Sequence, residues 1–195
     1  RFVGAGTIGV AAIWTLAKLV KPVVGGLTGA MRASRARKEG KLDTLPRTEH
    51  DMPIGTVGLI TLACLVPVGY LLWQFADGAG LGDHAALLAI GGVAFVILLS
   101  FLVSAVCGYM AGLIGSSNSP LSGIGILVVI IAALLLVLFV KSLVPAVVGK
   151  AWGAFAWVST SIVFAVASIA NNNLQDLKTG QLVGATPSWQ QWALL

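Results

Sequence analysis

Long uncharged apolar runs alternate with short polar stretches along this chain, and the run lengths predict helices that cross a membrane. A crossing helix needs about 20 apolar residues. Phe2 to Ala17 is a first run, and it extends past Lys18 if that long side chain snorkels to the interface. Met52 to Ala76 is uncharged for 25 residues and forms a second. Pro53 suits its first turn, Asp51 suits the positive end of its dipole, and Pro67 predicts a kink inside it. Ala85 to Val140 is uncharged for 56 residues. As one helix it would reach roughly 84 Å, against a hydrocarbon core of about 30 Å, so it must fold back. The break falls at Gly115 to Gly123, which gives spans at 86–112 and 124–143. A turn at Lys141 to Lys150, holding Pro145 and Gly149, leads to a fifth run at Ala151 to Ile169. A polar stretch from Asn171 to Pro187 follows, and Ser188 opens a sixth run. The pattern predicts an all-α integral membrane protein with about five transmembrane helices plus the start of a sixth, interrupted by polar helix breaks.

Composition narrows the function classes. The chain has 195 residues, 57% hydrophobic and 10% charged, with a mean hydropathy of +0.96. Soluble domains carry about 25% charged residues. A disordered chain, a coiled coil and a nucleic-acid-binding domain are excluded, and a soluble enzyme is strongly disfavoured. Two Cys exclude a disulfide scaffold; Cys64 and Cys107 lie within spans and read as buried small hydrophobes. The chain starts at Arg1 and stops at Leu195 inside apolar runs, which reads as an internal fragment of a larger membrane protein. Arg1 with the first run also has the look of a secretory leader, but the basic cluster that follows opposes export.

The net charge of +5 is unevenly placed. Lys18, Lys21, Arg32, Arg35, Arg37, Lys38, Lys41 and Arg47 make up eight of the twelve basic residues. Residues 28–52 read as a basic cytoplasmic loop by the positive-inside rule, with Arg32 to Gly40 as a short surface helix. The loop Asp77 to Asp83 is acidic, Gly-rich and free of Lys and Arg, as an outside loop should be. Lys141 and Lys150, on the outside by this topology, weigh against it more weakly. No aromatic residues interleave with the charges, so nucleic acid is not an expected partner, whereas anionic membrane lipids are.

The two polar breaks carry the candidate chemistry. Ser116, Ser117, Asn118, Ser119 and Ser122 place five neutral hydrogen-bonding side chains within seven positions. A tight turn is the plain reading. A helix broken at membrane depth is the other, and it would offer backbone N–H and C=O groups to a substrate. Neutral amides and hydroxyls suit peptide-like ligands, which carry donors and acceptors together. The second break, Asn171 to Pro187, has 17 residues where about two to eight connect helices. A hydrated cytoplasmic loop is its plain reading. Asp176 and Lys178 share a face only if that backbone is extended. By the predicted topology both breaks lie on one membrane side and can converge. Gly108 and Gly112 form a GxxxG pair, read as helix packing within one bundle in preference to dimerisation. His50 and His84 fall in different loops, and the chain holds no HExxH, zinc-type cluster or Walker motif. Neither Ser116 nor Ser117 has a His partner within a span, so no enzyme chemistry, metal or cofactor is expected.

Gly112-Leu-Ile-Gly-Ser-Ser-Asn-Ser-Pro-Leu-Ser-Gly123 resembles the GxxGSSNxPxSG signature of the oligopeptide transporter (OPT) family. Asn172-Asn-Leu-Gln-Asp-Leu-Lys-Thr-Gly-Gln-Leu-Val-Gly-Ala-Thr-Pro187, followed by Gln190-Gln191, is similar to that family's NNLQDLKTGQLVGATP segment. Pro46-Arg-Thr-Glu-His-Asp-Met-Pro53 is similar to its PRTExDxP motif, and Ser119 departs from the pattern where a second Asn is frequent. The resemblance implies a secondary active transporter that moves small peptides, or peptide-like metal chelates, together with protons. It points to bacterial-type members, hence the inner (plasma) membrane, and to the remaining helices of a full-length transporter as partners. The positions it carries over to a substrate site or pathway are Ser116, Ser117, Asn118, Pro120, Asn172, Asn173, Gln175, Asp176, Lys178 and Gly180. Asp176 is the candidate protonatable group and Lys178 its candidate partner. A structural or scaffold membrane module without transport is the alternative.

Overall fold

The computed structural model describes residues 2–38, 46–119, 121–139 and 149–195. Six helices account for most of them: α1 (Phe2–Lys38), α2 (Ile54–Ala76), α3 (Ala85–Ile114), α4 (Leu121–Phe139), α5 (Gly149–Leu182) and α6 (Pro187–Ala193). No strand occurs among the described residues. Among the described residues, three stretches are long and apolar enough to cross a membrane: Arg47–Ile114, Leu121–Leu138 and Ala151–Leu182. The first comprises α2 and α3, joined by a tight turn in which Gly80 takes φ 80°. The all-α membrane architecture expected from the runs is therefore present.

Two boundaries differ from the expected ones. Helix α1 does not stop near Ala17 but continues to Lys38, so Arg32 to Lys38 form its last turns instead of a separate surface helix. Pro22 is tolerated inside it. Helix α1 runs through Pro22, Gly25-Gly26 and Gly29 despite their breaker character, and the Ala, Arg and Lys residues that follow are good helix formers. Lys18 Nζ sits 5.3 Å from the centre of the Trp14 ring, an amphipathic pairing suited to an interface. Residues 28–38 of the basic segment are thus helical, and residues 39–45 lie outside the described set. Most of the expected 141–150 turn lies outside it too, as does Pro120. The second difference is α5, which runs unbroken through Asn171 to Leu182. That polar stretch holds no Pro, and its first Gly is Gly180. Asn, Gln, Asp and Lys at the end of a span mark the water boundary without breaking the helix.

Helix α3 lies at the centre. It packs most extensively on α5 and next on α2, which itself touches α5, while α4 lies against α5 and α1 against α4. The register follows from glycine contacts. Gly92 faces Leu72 of α2 and Phe155 of α5, and Gly108 faces Leu174 of α5. Rising numbers on α3 therefore meet rising numbers on α5, so the two run parallel. Gly125 of α4 faces Phe164 of α5, and the short connection from α3 makes α4 antiparallel to both. Leu72, Ile124, Val163 and Cys107 are fully buried in this seam. Lipid tails are as apolar as Leu, so close approach at small residues, not water exclusion, holds such helices together. The outer faces stay apolar: Leu59, Val66, Ile90 and Leu138 are each well exposed, as a membrane-embedded surface requires.

The GxxxG pair separates cleanly. A Cβ on Gly108 would lie 2.8 Å from Leu174 Cγ, whereas one on Gly112 would meet nothing within 4 Å. Gly108→Leu is expected to destabilise the protein by about 1–3 kcal/mol. Gly112→Ala should stay within about 0.5 kcal/mol. Thermal unfolding of the purified protein in detergent checks the contrast, and equal losses at both positions would contradict it.

Candidate functional site

The parallel α3–α5 seam carries the ends of both helices to one end of the bundle. Helix α3 stops at Gly115, whose φ of 84° is a left-handed value that favours glycine. A single turn, Ser116–Asn118, follows before α4 starts at Leu121. Breaking a helix here removes intrahelical partners from backbone groups. Side chains from two places replace them. Asn118 Nδ2 donates to the Ile114 carbonyl at 3.3 Å, closing the end of α3. The Ser116 N–H donates to Gln175 Oε1 at 3.0 Å, and the Ser116 carbonyl accepts from Asn171 Nδ2 at 3.1 Å. Asn171 and Gln175 are four apart on α5, hence stacked on one face. Together they read both the donor and the acceptor of one residue's backbone.

The two polar motifs thus meet, and the geometry assigns their residues different tasks. Gln175 holds the turn. Ser117 and Asn118 are exposed on it, and Ser116 is half-buried. On α5, Asn172, Gln175, Asp176 and Thr179 follow i, i+3, i+4, i+7 spacing and are all exposed, forming one polar strip beside the turn. Asn173 is half-buried outside that strip. Lys178 does not pair with Asp176: the helix turns them to opposite faces, and Lys178 Nζ donates to Gln181 Oε1 at 2.9 Å. Gly180 is buried, and the Gln190 amide occupies the space a Cβ would need. Its place in the motif is one of packing.

Helix α5 ends in a hydrogen-bonded glycine stop. Gly184 takes φ 73° and its N–H donates to the Gln181 carbonyl at 3.2 Å, while the Ala185 N–H donates to Gly180 at 2.8 Å. Pro187 then opens α6. The segment before α2 docks on this corner. Arg47 donates to the Gly184 carbonyl. The Ser188 N–H donates to the His50 carbonyl at 2.9 Å. Gln191 accepts from the Met52 N–H at 2.6 Å through Oε1 and donates to Asp51 Oδ1 at 3.0 Å through Nε2. All three sequence motifs therefore gather at one end of the bundle. Asn171, Arg47, Asp51 and Gln191 were not among the expected site residues. The triple Asn, the PRTExDxP motif and the Gln190-Gln191 pair were the signals that contained them.

A membrane-spanning helical bundle with a polar, turn-broken end is the construction of a polytopic membrane protein, with irregular backbone admitted only where polar groups complete it. The family model described as "OPT oligopeptide transporter protein" matches residues 1–195, and the chain belongs to that family. It is 40% identical over 204 aligned residues to a Haemophilus influenzae protein named "Putative oligopeptide transporter". The alignment covers 100% of this chain and 31% of that protein, so the chain spans about a third of its relative's length. No solved structure matches the chain.

The α5–α6 corner yields a direct test. Gly180→Val should displace Gln190 and loosen the docked segment. Hydrogen exchange is then expected to speed up about tenfold or more at the Ser188 and Met52 amides, with α4 unchanged. Unchanged exchange at both amides would show that the corner does not depend on Gly180.

Proposed function

We propose that this chain forms part of the translocation path of a secondary transporter for small peptides, or peptide-like metal chelates, in a bacterial inner membrane. Proton coupling belongs to the same reading, and the protein is not an enzyme. The observation that carries it is the pairing of Asn171 and Gln175 on the backbone of Ser116. Carboxamides in that arrangement engage one backbone N–H and one backbone C=O, the groups that a peptide offers, and the adjoining strip of Asn172, Asp176 and Thr179 leaves further polar groups exposed. Each neutral hydrogen bond to a substrate contributes about 0.5–1.5 kcal/mol, weak enough singly to permit release. Membership of the family and the name of the Haemophilus relative support peptides as the cargo. The remaining helices of the full-length protein complete the path, and rocking of one bundle against another around the site supplies alternating access.

Asp176 is the single carboxylate of α5 and lies on the exposed strip. It is the proton-carrying group in this reading, acting without Lys178. Asp176→Asn in the full-length protein is expected to abolish uptake driven by a pH gradient while membrane expression is kept. Normal gradient-driven uptake in that variant would remove Asp176 from the mechanism. Cysteines at Ser117 and Asn172 test the site itself in the same protein. Added peptide should slow their labelling. Labelling that is indifferent to peptide at both positions would favour a scaffold module instead.

A further inference from the structure

Helix α6 is inside out for a helix in water. Gln190 and Gln191 are turned toward the protein: the Gln190 amide lies at Gly180, and Gln191 serves the Met52 N–H and Asp51. Trp189 and Trp192 are three apart, hence on one face, and that face points the opposite way. They are 77% and 55% exposed. The tip of α5 repeats the pattern, since Leu182 and Val183 are both well exposed just before the Gly184 stop. Leu182 shares a face with Lys178, one turn earlier, whose Nζ is held by Gln181.

The level of this corner follows from what it holds. Gln191 accepts from the Met52 N–H, and Met52 opens the 25 uncharged residues that carry α2 into the membrane. The corner is therefore level with the start of a span. Exposed indoles beside a lysine at that level match a membrane interface. There the rings lie against the first acyl carbons, while the indole N–H and the ammonium reach headgroup oxygens. A corner facing water would turn its glutamines out and its indoles in. A surface meant for a further helix favours small residues, not two tryptophans.

We propose that the Leu182–Val183 tip and the Trp189–Trp192 face of α6 form an interfacial anchor, seated among the phospholipid headgroups on the side where α2 starts. Helix α6 then has two faces with two tasks. Its glutamines bind the segment before α2, and its tryptophans bind the bilayer. One short helix thereby fixes the stop of α5 and the start of α2 at a common depth. The anchor does not depend on what the protein transports.

The test uses the full-length protein in phospholipid vesicles, with a nitroxide attached to a single cysteine at Val183, Trp189, Trp192 or, as the inward control, Gln190. Two relaxing agents report what surrounds each label: oxygen, which concentrates in lipid, and a neutral nickel chelate, which stays in water. The anchor predicts a several-fold excess of oxygen over nickel collisions at 183, 189 and 192, and few collisions of either kind at 190. A nickel excess at the three outward positions places the corner in water and overturns the proposal. Few collisions with either agent at all three means that other helices of the protein cover the face, and this overturns it equally. If the labelled Trp189 and Trp192 variants fail to reach the membrane, Val183, on the turn and outside α6, is read in the same way.

Discussion

A helix that stops at Gly115 leaves backbone groups without intrahelical partners, and the arrangement of this bundle turns on how those of Ser116 are served. Asn171 and Gln175 take its carbonyl and its N–H. Losing Gln175 would leave the Ser116 N–H without its partner, at a cost of about 1–3 kcal/mol where it is buried, whereas the Ser116 carbonyl keeps a second donor in the Ser119 N–H at 3.3 Å. The break between α3 and α4 and the polar end of α5 are therefore one structural unit. Neither has its observed form without the other.

The contact depends in turn on packing deeper in the seam. Gly108 lets Leu174 of α5 approach α3 closely, and it does so about two turns before Ser116. Parallel helices held in register at that point bring Asn171 and Gln175 level with the turn. The α2 end is fixed separately. Gln191 grips Asp51 and the Met52 N–H, and Arg47 reaches the Gly184 carbonyl 137 residues away in the chain. Helices α2, α3 and α5 are thus tied at one end by polar contacts and along their length by apolar ones. That leaves the exposed strip of Asn172, Asp176 and Thr179 on a rigid support.

Hydropathy alone was enough to find the apolar elements. Met52 to Ala76 against α2 at Ile54–Ala76, and a break from Gly115 against a helix end at Ile114, agree within the usual fraying of helix ends. The end of α5 was not legible by the same means, because polarity was taken as a sign of broken helix. Polarity marks where the helix leaves the lipid. Its stop is written in Gly184 and Pro187, which share the αL stop and the helix start between them. Extending α5 by more than three turns is also what separates Asp176 from Lys178. The family motifs named most of the residues at the corner. They gave no hint that Gln175 accepts from the Ser116 N–H, that Gly180 accommodates Gln190, or that Asn171 is buried, because each of these depends on contacts between segments distant in sequence.

The central claim is that the 115–119 turn sits against the polar end of α5. Paired cysteines at Ser116 and Gln175, in the full-length protein within its native membrane, test this most directly. The account predicts that mild oxidation or a short bifunctional reagent joins them, and that Asn172 paired with the far end of α3 at Ala85 is not joined. Two freely labelled thiols at positions 116 and 175 that no short reagent can bridge would contradict it.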